Sequence, residues 1–208
     1  MWSHIINCKN SGIEFGQGTQ CIFQSKCRIT SNAKPEARLA NQGDGGGQDM
    51  RYWLMKSEPD EFSIDDLESV PDQAVAWFGV RNYQARNFMR DQMRIGDQVL
   101  FYHSSCPQPG IAGLATVSKS AYPDTTQFDK KSKYFDQKAT PESPRWFNVD
   151  VKFRKKTRLI SLDELRRHPE LEHMRILQRG NRLSVTPVDP AEWTFILGMA
   201  KRRAPKAS

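Results

Sequence analysis

The segment from Trp77 to Asn87 concentrates side chains that can bind a nucleobase. Its sequence, WFGVRNYQARN, holds large aromatic rings, two arginines and amide side chains around one glycine. Aromatic faces stack on bases, arginine binds phosphates or base edges, and amide groups read patterns of donors and acceptors. The segment therefore predicts a base-binding lip, provided that the rest of the chain builds a pocket around it.

Residues of this segment also have purely structural interpretations. Asn82 fits the N-cap position of a following helix, and Arg81 fits an ion pair with an acid such as Glu58. Arg86 and Arg90 lie at helical spacing, which is as typical of a solvated helix face as of a row of phosphate contacts. Neither interpretation is excluded at this level.

Five stretches predict β-strands that would support the lip. Strands are rich in β-branched and aromatic residues, and a strand with one buried face alternates between apolar and polar positions. The last stretch contains Pro187, which favours an edge strand because proline lacks the N–H that pairing requires. The predicted strands are Tyr52–Lys56, Gln98–His103, Gly110–Val117, Trp146–Phe153 and Leu183–Val188.

Four stretches predict helices between or after these strands. The longest is predicted over Asn82–Met93, where apolar residues recur at helical spacing. Ser63 and Ser161 each precede an acidic residue three positions on, Asp66 and Glu164, which is the pattern of a capping box. Helices mixed irregularly with five or six strands predict an α+β fold built on a small mixed sheet or open barrel. The predicted helices begin at Ser63, Asn82, Ser161 and Asp189.

Most of the positive charge lies outside the patterned region. The net charge of the chain is +7, but residues 50–200 carry 22 Lys and Arg against 20 Asp and Glu. The tail at 201–208 adds four basic residues and no acid, which is typical of a solvated end with weak affinity for phosphate. Within the domain, the run Lys152–Arg158 fits either a surface for a nucleic-acid backbone or the protection of an edge strand.

The first 49 residues differ from the rest of the chain. They contain a glycine-rich run at 42–48 and lack regular apolar periodicity or the apolar core of a secretion signal. We expect residues 1–49 to be a disordered N-terminal extension or a start-site artefact, with the domain beginning at Met50. Their cysteines lack zinc-ligand spacing, and Cys106 is a lone thiol, so we expect no metal.

The sequence offers little support for an enzyme. Asp97, His103 and Ser104 superficially suggest a serine-hydrolase triad, but neighbouring residues of a strand point to opposite faces. The chain also lacks the signatures of nucleophile elbows, phosphate-binding loops, zinc proteases and zinc deaminases. We therefore predict a non-catalytic protein without a cofactor. Hydrolase and protein-interaction functions are weaker hypotheses.

Five motifs occur in the order and rough spacing of the EVE-domain family, whose bacterial members the chain resembles. The resemblance covers about residues 50–200 and implies a PUA-like fold, in which helices flank a pseudo-barrel of strands. It also implies recognition of a modified nucleobase, such as a modified cytosine, in DNA or RNA. The motifs are Trp53–Pro59, Trp77–Asn87, Gly96–Ser104, Gly110–Gly113 and Arg182–Val188.

The resemblance also assigns provisional roles to eleven residues around such a pocket. Ser57 would lie at the pocket mouth, and Trp77, Tyr83 and Trp146 would form a stacking wall. Arg182 and Ser184 would close the site from the last strand, and the other polar residues would contact the base edge or the sugar-phosphate. An RNA-binding module that ignores modification is the alternative. We expect a cytoplasmic protein if the source is bacterial, or a nuclear one if it is eukaryotic. The residues are Ser57, Trp77, Arg81, Asn82, Tyr83, Gln84, His103, Ser104, Trp146, Arg182 and Ser184.

Overall fold

The structure, a computed structural model, describes residues 50–202. The predicted extension at 1–49 and most of the predicted basic tail at 201–208 lie outside these residues. No helix in the described part of the chain is long and apolar enough to cross a bilayer.

Six strands form one mixed sheet in the order β2-β5-β4-β3-β1-β6. Only β1 and β3 are parallel, and their last residues, Ser57 and His103, are register partners. β4 and β5 are longer than predicted and contain several register shifts, which bend a strand and increase its twist. The strands are β1 (Tyr52–Ser57), β2 (Ala74–Ala76), β3 (Gln98–His103), β4 (Gly110–Pro123), β5 (Phe147–Ser161) and β6 (Val185–Val188).

In the described part of the chain four α-helices flank the sheet, and each of them begins directly after its predicted capping residue. Ser63 forms the predicted capping box of the first helix, and Asp189 forms one at the fourth. Ser161 caps the third helix, but no capping box forms there because the Glu164 carboxylate binds Arg158 instead. The helices are α1 (Ile64–Ser69), α2 (Tyr83–Asn87), α3 (Leu162–Arg166) and α4 (Pro190–Lys201). Short 3-10 turns cover Pro71–Gln73, Thr125–Gln127, Pro169–Leu171 and Arg175–Leu177.

The helix predicted over Asn82–Met93 has the expected extent but is not a regular α-helix throughout. α2 ends at Asn87 and continues as a π-helical turn, Phe88–Gln92, closed by the Met93 N–H donating to the Phe88 carbonyl at 3.0 Å. A regular helix would rotate Met93 roughly 140° away from Phe88. The wider turn lets both side chains face the core, where both are buried. The longest helix of the described residues is α4 instead.

The two parallel strands, β1 and β3, are buried on both faces. Leu54 and Leu100 belong to a core cluster that includes Trp193 and Ile196 of α4. Trp53 and Phe101 point to the opposite face and are also buried. The sheet is therefore covered on both sides. The carboxyl ends of β1 and β3 lie side by side, and there both strands leave the core.

Candidate functional site

Four of the predicted site residues meet at the carboxyl ends of β1 and β3. We call Ser57, Trp77, His103 and Ser104 the strand-end group. The Ser104 N–H donates to the Ser57 carbonyl at 2.8 Å. The rings of Trp77 and His103 both lie edge-on to Phe101, with centroid separations of 5.5 and 5.7 Å.

His103 and Ser57 already make structural hydrogen bonds. The backbone N–H of Ile64 donates to Nε2 of His103 at 3.1 Å, which places the proton of the neutral ring on Nδ1. Burial lowers the pKa of His103 and keeps the ring neutral near pH 7. The Ser57 hydroxyl donates to the Phe62 carbonyl at 2.6 Å. Both residues therefore fix the start of α1, whatever else they contact.

Asp97 is held far from the strand-end group. Its carboxylate accepts hydrogen bonds from the Trp53 indole at 2.9 Å and from the backbone N–H of Arg94 at 2.9 Å. It precedes β3, whereas His103 ends that strand, about 20 Å further on at the usual rise per residue. The three residues therefore do not form a triad.

Trp77 is almost fully buried, and its indole N–H has no hydrogen-bond partner among the described residues. The ring is 4% exposed. Trp53 and Trp146 donate their indole N–H groups to carboxylates at 2.9 and 2.8 Å. Within residues 50–202, Trp77 makes no such bond. Because buried tryptophans usually satisfy this donor, Trp77 retains a hydrogen-bonding group for a ligand.

The guanidinium of Arg81 binds other groups of the protein. It forms an ion pair with Asp124 at 2.8 Å, rather than with the predicted Glu58, and donates twice to the Tyr134 carbonyl at 3.0 and 2.6 Å. Burial alone would raise the pKa of Asp124. Hydrogen bonds from Thr126, the Gly79 N–H and Arg81 outweigh it and lower the pKa.

Tyr83 and Trp146 form a stacked pair. Their ring centroids are 4.9 Å apart with planes 26° from parallel. Trp146 is 6% exposed, whereas Tyr83 is 48% exposed and covers it from the solvent side. Arg145 donates to the Tyr83 hydroxyl, and Arg86 donates to the Arg145 carbonyl. A base approaching this pair would meet Tyr83 before Trp146.

The remaining polar residues divide between a surface cleft and the β6 edge. Asn82 caps α2, as its structural interpretation predicts, by accepting from the N–H groups of Gln84 and Ala85 at 2.9 and 3.1 Å. The Ser184 carbonyl accepts from the Lys56 N–H at 2.8 Å, which continues the pairing of β6 with β1 beside Ser57. The cleft, which we call the arginine cleft, has a volume of about 440 Å³ and is lined by Asn82, Gln84, Arg179, Gly180, Asn181, Arg182 and Leu183.

The sequence-based site omitted Arg179 and Asn181. Both belong to the Arg179–Arg182 turn, in which Gly180 has a φ of +80°. This left-handed conformation favours glycine and lets an arginine flank each side of the turn. The sequence signal for this turn is Gly180 with Arg179 before it and Arg182 after it. The signal is weak because such a short run is common in loops.

The basic run Lys152–Arg158 lies on a distorted part of β5. A register shift leaves Arg154 without a partner residue on β4, and Arg154, Lys155 and Lys156 are all exposed. Lys156 and Arg158 pair with Asp65 and Glu164. Lys152, Arg154 and Lys155 form no ion pair within the described residues. These three cations remain available to an anionic partner, but edge protection would leave them equally free.

Comparisons with known proteins give a consistent family. The model of the EVE domain matches residues 51–199. Thymocyte nuclear protein 1 of Danio rerio is 41% identical over 205 residues, which cover 88% of this chain and 87% of that relative. A hypothetical protein from Leishmania major has a solved structure that is 50% identical, with a TM-score of 0.69, covering 74% of this chain and 96% of that one.

A further solved structure contains a ligand. It is the human THYN1 protein in complex with DNA containing 5-methylcytosine, and it is 41% identical to this chain. The match covers 74% of this chain and 99% of that one, with a TM-score of 0.70. Together with the mixed sheet and its flanking helices, these matches confirm the expected α+β, PUA-like fold, and the chain is a member of the EVE domain family.

Proposed function

We propose that this chain is a non-catalytic nucleic-acid-binding protein that recognises a modified base, of the 5-methylcytosine class, in DNA. One observation carries the proposal. The human relative that matches this chain at 41% identity over 99% of its own length was crystallised with DNA containing 5-methylcytosine. The residues of the strand-end group give this chain suitable chemistry for the same class of ligand.

The strand-end group places aromatic rings and a few polar atoms together at one end of β1 and β3. A base extruded from the helix needs apolar surface for its ring and placed hydrogen-bonding groups for its edge. Trp77 supplies the free indole N–H, and His103 keeps a proton on Nδ1. The serine hydroxyls supply oxygen acceptors. A methyl group on the base would favour an apolar contact over water.

The charged surfaces fit the DNA backbone. The arginine cleft carries Arg179 and Arg182 beside the amides of Asn82 and Gln84. Arginine forks and amide donors are typical ligands of phosphate oxygens. Lys152, Arg154 and Lys155 of β5, which form no ion pair within residues 50–202, are further candidates for phosphate contacts. Half-exposed Tyr83 adds a face on which a base can stack. Phosphate contacts hold the duplex, and the strand-end group reads the modification.

Discrimination between methylated and unmodified DNA tests the proposal directly. We expect a short duplex with one 5-methylcytosine to bind about 10-fold or more tightly than the same duplex with cytosine, because a methyl group in an apolar site gives that range. Fluorescence anisotropy at two salt concentrations measures it. RNA of the same sequence provides the comparison for the alternative function. Equal affinities with a steep salt dependence would leave only a phosphate-binding module.

Removing both arginines of the cleft should weaken binding regardless of methylation. We expect the double variant Arg179→Ala/Arg182→Ala to lower affinity for methylated and unmodified duplexes by the same factor. The salt slope should fall by about 2, since each lost phosphate contact removes about 1. The control is Arg166→Ala/Arg167→Ala at the end of α3, which removes the same charge from exposed positions outside the cleft. A selective loss for the methylated duplex would instead show that the cleft reads the base.

A further inference from the structure

Phe135 is an exposed aromatic residue between two fixed neighbours. Its side chain is 38% exposed. Before it, the Tyr134 carbonyl accepts two hydrogen bonds from Arg81. After it, the Asp136 carboxylate accepts from the Trp146 indole at 2.8 Å, and the Asp136 N–H donates to the Gln127 carbonyl at 3.0 Å. The exposure of Phe135 therefore belongs to an ordered loop, held on both sides.

The Tyr134 ring ties this loop to the segment that follows Trp77. A Cβ atom on Gly79 would lie 2.6 Å from the Tyr134 ring, so only glycine permits this contact. Gly79 also has a φ of +80°, which favours glycine for a second reason. Lys133 donates to Glu61 at 2.7 Å, beside Phe62 of the strand-end surroundings.

The loop around Phe135, residues 130–138, therefore connects the surroundings of the strand-end group with the Tyr83–Trp146 stack. The proposed function uses both places. One end contacts the surroundings of the strand-end group through Tyr134 and Lys133. The other end supports the Tyr83–Trp146 stack through Asp136. Because consecutive Cα atoms lie about 3.8 Å apart, exposed Phe135 is close to the contacts of both Tyr134 and Asp136.

The charge around Phe135 matches a polyanion. The loop contains Lys130, Lys131 and Lys138, which are exposed and form no ion pair within residues 50–202. A protein partner that covered an exposed phenylalanine would be expected to meet more apolar surface and fewer free lysines. An apolar ring with cations on either side instead has the composition of an element that enters a base stack while lysines bind the phosphates.

We propose that Phe135 is a wedge residue, which inserts into duplex DNA and occupies the space left when the modified base is extruded. This inference rests on the proposed function and names the duplex as the form of DNA that the site accepts. Extrusion of a base costs stacking energy, and an apolar side chain that replaces the base in the stack recovers part of it. A single-stranded ligand has no such gap, so the wedge matters only for the duplex.

Binding of Phe135→Ala to duplex and single-stranded DNA tests the wedge. Both ligands carry one 5-methylcytosine in the same sequence. We expect the variant to bind the duplex about 10-fold more weakly, within the few kcal/mol that unstacking costs, and to bind the single strand as the wild type does. Phe135→Leu keeps an apolar wedge, so its duplex affinity should lie between those of the wild type and Phe135→Ala. Ile95→Ala is the matched control, since Ile95 is 59% exposed but precedes β3, at the end opposite His103.

A reporter base distinguishes insertion from simple contact. With 2-aminopurine beside the methylated cytosine, we expect wild-type binding to increase its fluorescence by unstacking it, and Phe135→Ala to reduce that increase. Equal duplex affinity and equal fluorescence for both proteins would overturn the wedge, as would an equal loss on the single strand. If the wild type does not prefer methylated over unmodified DNA, either as duplex or as single strand, the proposed function fails, and the wedge fails with it.

Discussion

Replacing Arg81 with alanine is expected to lower the free energy of unfolding by about 3–5 kcal/mol, because it leaves a buried carboxylate without its cation. The partner, Asp124, is 1% exposed, and the guanidinium is 22% exposed. The change also removes donors from the Tyr134 carbonyl and from the Thr126 hydroxyl. Urea unfolding measures the loss. The free energy of unfolding of Arg81→Lys should lie between those of the wild type and Arg81→Ala, since an ammonium group keeps the charge but cannot form the planar fork.

The stability that Arg81→Ala loses relative to the wild type should become smaller as the pH falls. In the wild type the pKa of Asp124 is lowered, so its contribution to stability is present above its ordinary value of about 4 and disappears as the pH falls through the folded value. Without Arg81, a hydrogen bond and a positive charge that help to lower the pKa of Asp124 are lost, so this pKa lies higher than in the wild type. The variant therefore gains relative stability when the carboxyl is protonated. We expect the gap between the two proteins to narrow as the pH is lowered from 7 towards 4.

Arg90 provides the matched control for this experiment. It also forms an ion pair with an aspartate, at 2.6 Å from Asp91, but both side chains are largely exposed. Exposed pairs contribute about 0–1 kcal/mol, so Arg90→Ala should change stability little at any pH. If Arg81→Ala cost no more than Arg90→Ala, the interpretation of Arg81 as a structural clamp would be wrong.

Much of the fold could be predicted because its signals are local. Ser63 with Asp66, and Asp189 before Pro190, specify helix starts within four residues. The edge position of β6 follows from Pro187 alone. The π-helical turn escaped prediction because it depends on the fit of Phe88 and Met93 into the core, which no local pattern reveals. The lengths of β4 and β5 depend likewise on bulges between two distant strands.

The sequence could propose candidate residues for the site but not their structural contacts. Sequence patterns selected Arg81 and His103 as candidate ligand contacts. Their partners lie 43 and 39 positions away, at Asp124 and at the Ile64 N–H, and only the fold brings them together. The same limit applies to Trp146, whose exposed face is covered by Tyr83. Residue types can show that a surface binds bases, but tertiary contacts decide which side chains remain free to do so.

The stack of Tyr83 on Trp146 gives the second large effect. Trp146→Ala is expected to reduce the free energy of unfolding by about 3–5 kcal/mol, the usual range for a buried aromatic residue. It removes the ring beneath Tyr83 and the hydrogen bond to Asp136. Trp146→Phe keeps a ring in place and should cost about 1.5–3 kcal/mol, the range for a hydrogen bond to a charged group. Unfolding curves of the two variants separate packing from the hydrogen bond.

Tyr83→Ala should show the opposite pattern to Trp146→Ala. Tyr83 is half-exposed, so its loss should change stability little but weaken binding of the methylated oligonucleotide by about 1–3 kcal/mol if a base stacks on it. Because Trp146 also lies within 5.3 Å of the Arg81 guanidinium, the losses from Arg81→Ala and Trp146→Ala should not add. A Trp146→Phe protein that folds normally but loses affinity more than Tyr83→Ala would place the base against Trp146 itself. Binding titrations at a temperature where every variant is folded decide between the two rings.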